Sequence, residues 1–233
     1  MTRRITTVGF DADDTLWHNE TIFRLTQDRF RALMADVADP VTLDAKLAEV
    51  ERRNLALYGY GVKGFTLSMI ETAMAVTAGE APGRLVADIL AAGREMLAHP
   101  VEPLPGVRDA LADLATDYKL VLITKGDLLH QEQKLAASGL GDFFAAVEIT
   151  SEKDAATYER VFAREGTGAA HAAMAGNSLR SDVIPALDAG AYAAHIAYHL
   201  TWAHELAEPP HGHPRFAELA TIADLPAWVR SLN

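Results

Sequence analysis

Ile5-Thr6-Thr7-Val8-Gly9-Phe10-Asp11-Ala12-Asp13-Asp14-Thr15-Leu16 is the stretch on which the fold turns. Its first half is short and β-rich, and it stops abruptly at Asp11. That pattern predicts a buried strand feeding a loop. Four further runs have the same character: Leu120–Thr124 (LVLIT), Ala146–Thr150 (AVEIT), Ala172–Gly176 (AAMAG) and Ala193–Ala197 (AAHIA). AAMAG is the weakest of them, because alanine and methionine favour helices. Helical stretches lie between the runs, at Val107–Thr116, Leu128–Ser138, Ala155–Arg164 and Ser181–Ala189, with Gly139 and Gly190 where helices end. Strands alternating with helices of this length predict an α/β fold, a doubly wound parallel sheet of Rossmann-like type with helices on both faces. Leu219–Val229 is expected to close the core with a strand or turn and a short helix.

The alternation breaks between Asn19 and Ala98. Apolar residues recur there at helical spacing in TIFRLTQDRFRALMADV, LDAKLAEVERRNLALY and FTLSMIETAMAVTA, and a fourth helix is expected over Pro82–Leu97 with proline at its start. Pro100, Pro103, Pro105 and Gly106 mark the return to the core. The expected organisation is a core of residues 1–17 and 99–233 with a helical domain, residues 18–98, inserted after the first strand. At about 150 residues per domain, a chain of 233 residues fits one large domain or a core with such an insert.

Lys and Arg number 21 against 32 Asp and Glu, a net charge of −11. That argues against a partner recognised through a nucleic-acid backbone, which needs a basic face. A small anionic substrate stays open, because local charge can oppose net charge. There is no cysteine, so disulfides, thiolate catalysis and Cys-ligated zinc are ruled out. No apolar run approaches the roughly 20 residues of a membrane span, and MTRRITTVGF lacks the apolar stretch and cleavage site of a signal peptide. A soluble, cytoplasmic protein is expected, without nucleic-acid or membrane partners.

In open α/β sheets ligands bind beyond the carboxyl ends of the strands, so those loops carry the candidate site. Asp11 and Asp13, two apart in an extended exit, project to the same side. Two close carboxylates are tolerated if a cation lies between them or if one holds a proton, and magnesium is the natural partner for such oxygens; a solvated acidic turn is the competing reading. Thr124, which ends the second run, and Lys125 and Gly126 after it offer a hydroxyl and free amides to a phosphate oxygen, or simply form a capped turn. Lys153, past the third run, supplies positive charge for a phosphate or for a crowded carboxylate. Asn177 and Asp182, past the fourth, offer oxygens to a cation, with Ser181 or Asp182 as an ordinary helix cap being the alternative.

Taken in order, DADDTL, LVLITKGD, SEKDAATYERVF and GNSLRSDVIPALDAG resemble the four motifs of the haloacid dehalogenase superfamily of aspartate-nucleophile hydrolases. The helical insert lies where that family's α-helical cap falls. The resemblance implies a magnesium-dependent phosphatase for a small phosphorylated metabolite, working through an aspartyl phosphate. Asp11 would be the nucleophile and Asp13 the acid and base, with Thr124 and Lys153 holding the phosphoryl group and Asp11, Asp13, Asp182 and Asn177 collecting the metal. Asn177 departs from the family's usual aspartate, which leaves open whether it or Asp182 touches the metal. The aspartate at position 13 favours phosphoryl transfer over dehalogenation, because halide departs without a proton. A phosphosugar mutase of the same superfamily, a receiver-like signalling module and a non-catalytic binding member are the rival readings.

Trp17 and His18 are expected to wall the substrate pocket or pack at the hinge. The loop Gly59–Gly64 is expected to connect two cap helices flexibly, with Lys63 able to reach substrate. His199, Trp202, His204, His211 and His213 cluster late in the chain without metal-site spacing. Members of this size are monomers or homodimers.

Overall fold

The structure, a computed structural model, describes residues 5–233. The chain divides into two compact units. One comprises the described residues up to Glu20 with Val101–Lys125 and Gln131–Asn233; the other comprises Thr21–Pro100 and Gly126–His130.

The first unit holds a six-stranded parallel sheet. Its strands are β1 (Thr7–Phe10), β2 (Lys119–Lys125), β3 (Ala146–Thr150), β4 (Ala172–Gly176), β5 (Tyr192–Ile196) and β6 (Phe216–Leu219), in the order β3-β2-β1-β4-β5-β6. The chain builds outward from β1 through β2 to β3 and then crosses to β4 on the other side of β1. The loops leaving β1 and β4 therefore diverge at a topological switch point, the place where open α/β sheets bind ligands. Phe10 lies level with Leu122 and Ala175, so Asp11, Ile123 and Gly176 reach the sheet edge together.

Both faces are buried, as parallel sheets require. Val8, Phe10, Leu120, Leu122, Ala173 and Ala175 pack on one face against Val107, Leu111 and Leu114 of α5 (Val107–Leu114) and Leu225 and Val229 of α9 (Leu225–Ser231). Val121, Ile123, Met174 and Ala193 face the other way, onto Tyr158, Val161 and Phe162 of α7 (Ala155–Glu165) and Leu187 of α8 (Ile184–Asp188). AAMAG forms β4 despite its weak propensity because all five residues are buried; packing overrides intrinsic preference there.

Three elements differ from the sequence reading. The first strand begins at Thr7 rather than Ile5, whose amide instead donates to the Asn233 side chain at 2.7 Å. The expected helix Ser181–Ala189 is a wide turn, Leu179–Val183, followed by the short α8. Pro185 lacks an N–H donor, and Ser178 draws the Ser181 amide to its side chain. A distinct sixth strand precedes the last helix.

The second unit is helical: α1 (Glu20–Leu33, its first residue shared with the sheet unit), α2 (Pro40–Tyr58), α3 (Val62–Val76) and α4 (Gly83–Leu97), all between β1 and β2 in the chain. Phe30, Met34, Leu43, Leu47, Met69, Ile89 and Met96 form its core. Asp39 caps α2 through the Thr42 amide at 3.0 Å, with Pro40 at the first helical position. Lys63 and Gly64 sit in the first turn of α3 rather than in a loop, and the Lys63 ammonium is paired with Asp127 at 2.9 Å. No helix among the described residues is long and apolar enough to cross a membrane.

Candidate active site

Asp11 is the first residue past β1, its amide still tied to Ala175 of the neighbouring strand at 2.9 Å. Its carboxylate is buried. Oδ1 accepts from Lys153 Nζ at 2.5 Å, and the same ammonium reaches Asp182 Oδ1 at 2.7 Å. Asp182 places its other oxygen on the Ser178 amide at 2.9 Å. This arrangement needs Gly176, because a Cβ there would lie 2.3 Å from Asp182 Oδ2. Burial and the Asp182 charge push the Asp11 carboxyl up to about 7, against the pull of Lys153. Lys153 itself stays charged: its two carboxylates outweigh the cost of burial.

The second oxygen of Asp11 looks elsewhere. The Thr15 hydroxyl donates to it at 3.1 Å. The outward atom of the Asn177 amide lies 3.1 Å from Asp11 Oδ2, 3.2 Å from the Asp13 carbonyl oxygen and 3.3 Å from Thr15 Oγ1. With its NH2 end outward, Asn177 donates to all three. With its oxygen outward, that oxygen lies from Asp11 Oδ2 and from the Asp13 carbonyl at about the 3 Å spacing of adjacent ligands around an octahedral magnesium ion with 2.0–2.1 Å bonds. No group of three His, Cys, Asp or Glu side chains suited to a metal is present among the described residues; these oxygens come instead from one carboxylate, one carbonyl and one amide. The Asn177 loop is fixed from below by Thr15 Oγ1, which accepts its amide at 3.0 Å, and by His195, whose Nε2 lies 3.0 Å from its carbonyl.

Asp13 has different surroundings. Trp17 Nε1 donates to its Oδ1 at 2.7 Å, and Lys134 Nζ lies 2.5 Å from the same oxygen. Gln131 Nε2 approaches Oδ2 at 3.3 Å, while also donating to Thr124 Oγ1 at 2.6 Å and to the Lys125 carbonyl at 3.0 Å. Asp14 follows in a left-handed conformation, φ 63°, and its carboxylate accepts the Asn19 and Glu20 amides at the start of α1. Burial pushes its carboxyl up to about 7 in spite of those bonds.

Two carboxylates, a lysine, a threonine and an oxygen-lined turn thus meet at the switch point of a parallel sheet. A model of the haloacid dehalogenase-like hydrolases matches residues 5–190. The chain belongs to this hydrolase family. It is 45% identical to a crystallised haloacid dehalogenase-like family hydrolase from Xanthomonas campestris, over 98% of this chain and 91% of that one, with a TM-score of 0.88. A glyceraldehyde 3-phosphate phosphatase from Methanothermobacter thermautotrophicus is 26% identical over 83% of this chain and 86% of its own. YfnB from Bacillus subtilis, solved bound to magnesium, shares the fold at a TM-score of 0.65 and 18% identity, over 97% of this chain and 99% of its own.

Within this haloacid dehalogenase-like hydrolase, Asp11, Asp13, Thr124, Lys153, Asn177 and Asp182 share one end of the sheet. Other expected site residues lie elsewhere. Lys125 turns away to Glu205 and Ser181, each at 2.7 Å, so its charge already has a partner. Gly126 falls in the helical unit. Trp17 has no exposed surface and cannot wall a pocket; it holds Asp13 and pairs with Pro103. His18 Nδ1 meets the Tyr198 hydroxyl at 2.5 Å. Asp182, expected among the metal ligands, uses one oxygen on Lys153 and the other on a backbone amide, whereas Asn177 faces Asp11 and the Asp13 carbonyl.

The sequence reading missed Gln131, Lys134 and Glu205. A signal was present for the first two. The helix α6 (Leu128–Ser138) buries His130, Gln131 and Lys134 while Leu128 and Leu129 stand 60% and 55% exposed. A helix inverted in this way has polar work on its inner face.

Proposed function

We propose that this hydrolase cleaves small phosphomonoesters through an aspartyl phosphate, with magnesium as cofactor. One observation carries the reading: two carboxylates at the end of β1 sit in separate environments, Asp11 on a buried lysine and Asp13 on donors beside it. Pairs of carboxylates in contrasting surroundings divide nucleophilic and acid–base roles. The relative named a glyceraldehyde 3-phosphate phosphatase supports a small phosphorylated metabolite as substrate.

The cation would rest on Asp11 Oδ2, the Asp13 carbonyl and Asn177. Bound there, it supplies positive charge between the attacking carboxylate and the phosphoryl oxygens. The chemistry calls for that charge, because Asp11 with Lys153 alone is not firmly ionised at neutral pH. Asp11 attacks phosphorus as the ester P–O bond breaks, and Asp13 gives its proton to the leaving oxygen. Asp13, now a carboxylate, takes a proton from the water that attacks the aspartyl phosphate, which frees Asp11 and inorganic phosphate. Thr124 and Lys153 hold the phosphoryl group meanwhile. Loss of halide would leave Asp13 without a task, which favours phosphoryl transfer over dehalogenation.

The test is phosphate release from a panel of phosphomonoesters with magnesium, repeated with calcium and with Asp11→Asn. Release is expected with magnesium, falling sharply with calcium, whose looser coordination misplaces the nucleophile. The Asp11→Asn variant should fold and release none. No phosphate release by the unaltered enzyme, or magnesium-dependent activity retained in Asp11→Asn, overturns the proposal.

A further inference from the structure

We propose that Lys134 and Gln131 on α6 are positioning residues for the proton-transfer step: they and Trp17 fix Asp13 so that Oδ2 is the oxygen that hands over the proton. The inference rests on the proposed role of Asp13 as the acid, and it adds the group that makes that role directional.

The geometry is asymmetric. Among the described residues, Asp13 Oδ1 takes both Trp17 Nε1 at 2.7 Å and the Lys134 ammonium at 2.5 Å, whereas Oδ2 has only the Gln131 amide at 3.3 Å. Gln131 and Lys134 are three apart, so both stand on one face of α6. Lys134 is 7% exposed, and its other hydrogen bond is a 3.3 Å contact to the Asn19 amide oxygen. A lysine is rarely buried this far unless its charge has a partner, and here that partner is Asp13. Gln131 also donates to Thr124, so one amide keeps Asp13 in register with the threonine proposed to hold the phosphoryl group.

In the first step the bond between phosphorus and the ester oxygen breaks with its electron pair going to that oxygen. The Asp13 Oδ2–H bond breaks and the proton passes to the same oxygen. The negative charge that pairs with Lys134 in the structure returns to Asp13 at that moment. The Trp17 and Lys134 donors are already aimed at it, and donors preorganised toward developing charge lower the barrier without reorganisation. Their contribution therefore scales with how much proton the leaving group requires.

The experiment compares kcat/KM, which reports the steps through loss of the alcohol, for glycerol 3-phosphate and for p-nitrophenyl phosphate, whose leaving group departs with little need of a proton. Lys134→Met is expected to lower kcat/KM about 50-fold or more for the alkyl ester and less than about fivefold for the aryl ester. Lys134→Arg, which keeps the charge, should recover most of the alkyl rate. In an Asp13→Asn background, Lys134→Met should cost almost nothing further, because the partners act as a unit. Equal losses on both esters, or a full additional loss on top of Asp13→Asn, would mean that Lys134 only supports the fold and would overturn the inference. Unchanged kcat/KM for both esters would do the same. If Lys134→Met does not fold, Lys134→Gln takes its place in the same comparison. The unaltered enzyme separates the two levels: no activity on any phosphomonoester defeats the proposed function itself, whereas activity without leaving-group discrimination in the variants defeats only this step.

Discussion

Replacing Asn177 by aspartate tests the cation site most directly. The outward atom of the side chain lies 3.1 Å from Asp11 Oδ2 and 3.2 Å from the Asp13 carbonyl. The native amide can turn its NH2 toward these oxygens, whereas an ionised carboxylate can only oppose them. Two unit charges 3.1 Å apart at an effective dielectric of about 20 repel by about 5 kcal/mol. Taking up a proton limits the damage, because Asp11, whose carboxyl is already pushed up to about 7, takes one at neutral pH for little; what remains is the loss of the amide donor, about 1–2 kcal/mol. Asn177→Asp should therefore destabilise the metal-free enzyme by about 1–2 kcal/mol at pH 7, or roughly 2–8 °C in Tm for a chain of this size. Magnesium reverses the sign, because the added charge faces the cation. The assay is thermal melting of both proteins in a chelator and across a magnesium series, where stabilisation follows the ratio of free metal to Kd. The rise in Tm from chelator to saturating magnesium should be clearly larger in Asn177→Asp than in the native chain. An equal rise in both proteins would refute the placement of the cation at Asn177, and a comparable effect from Asp182→Asn alone would move it to Asp182.

Two further outcomes follow from the same geometry. Asp14 has its carboxyl pushed up to about 7 by burial, so the folded protein holds that proton more tightly than the unfolded chain. The resulting stability is fully present below about pH 4 and is lost as pH rises through about 7, a change of up to about 4 kcal/mol. Asp14→Asn can still accept the Asn19 and Glu20 amides and tolerates φ 63°. In chelator its Tm should therefore gain on the native protein between pH 5 and pH 8; a difference that stays flat or shrinks over that range contradicts the assignment. Gly176→Ala places a Cβ 2.3 Å from Asp182 Oδ2, which must push that carboxylate off Lys153 and the Ser178 amide. A loss of about 1–3 kcal/mol is expected from overpacking alone, together with a large drop in turnover. Native melting and turnover in this variant would show that Asp182 is free to move.

The α/β class was legible in the chain because five short β-rich runs, each stopping at a polar loop, alternate with helical stretches. Helical periodicity from Asn19 to Ala98 marked the four helices that lie between β1 and β2 in the chain. Asp11, Asp13 and Lys153 lie past strand ends and Thr124 is the last residue but one of β2, so a parallel sheet, which brings strand ends together, gathers them at one end. The misreadings have a common cause. Strand order and side-chain direction are not written in local spacing. Trp17 looked like a pocket wall because its place in the chain is next to the site, yet it points into the core with its indole N–H on Asp13. Lys125 follows Thr124 in sequence, but successive residues of a strand point to opposite faces, and it pairs with Glu205, 80 positions away.

What the sequence determined by itself is therefore the set of loops that gather at one end of the sheet and the hydrolase family whose motifs they match, since both depend on local pattern and on order along the chain. Tertiary structure alone decided how the oxygens and donors are shared. Asn177 rather than Asp182 faces the second oxygen of Asp11 because Lys153 and the Ser178 amide draw Asp182 away. Lys134 and Gln131 reach Asp13 only because β2 lies beside β1, which brings the inner face of α6 over Asp13, the residue proposed to move a proton. Direct side-chain bonds act over about 3 Å, and only the folded chain brings residues more than a hundred positions apart within that reach.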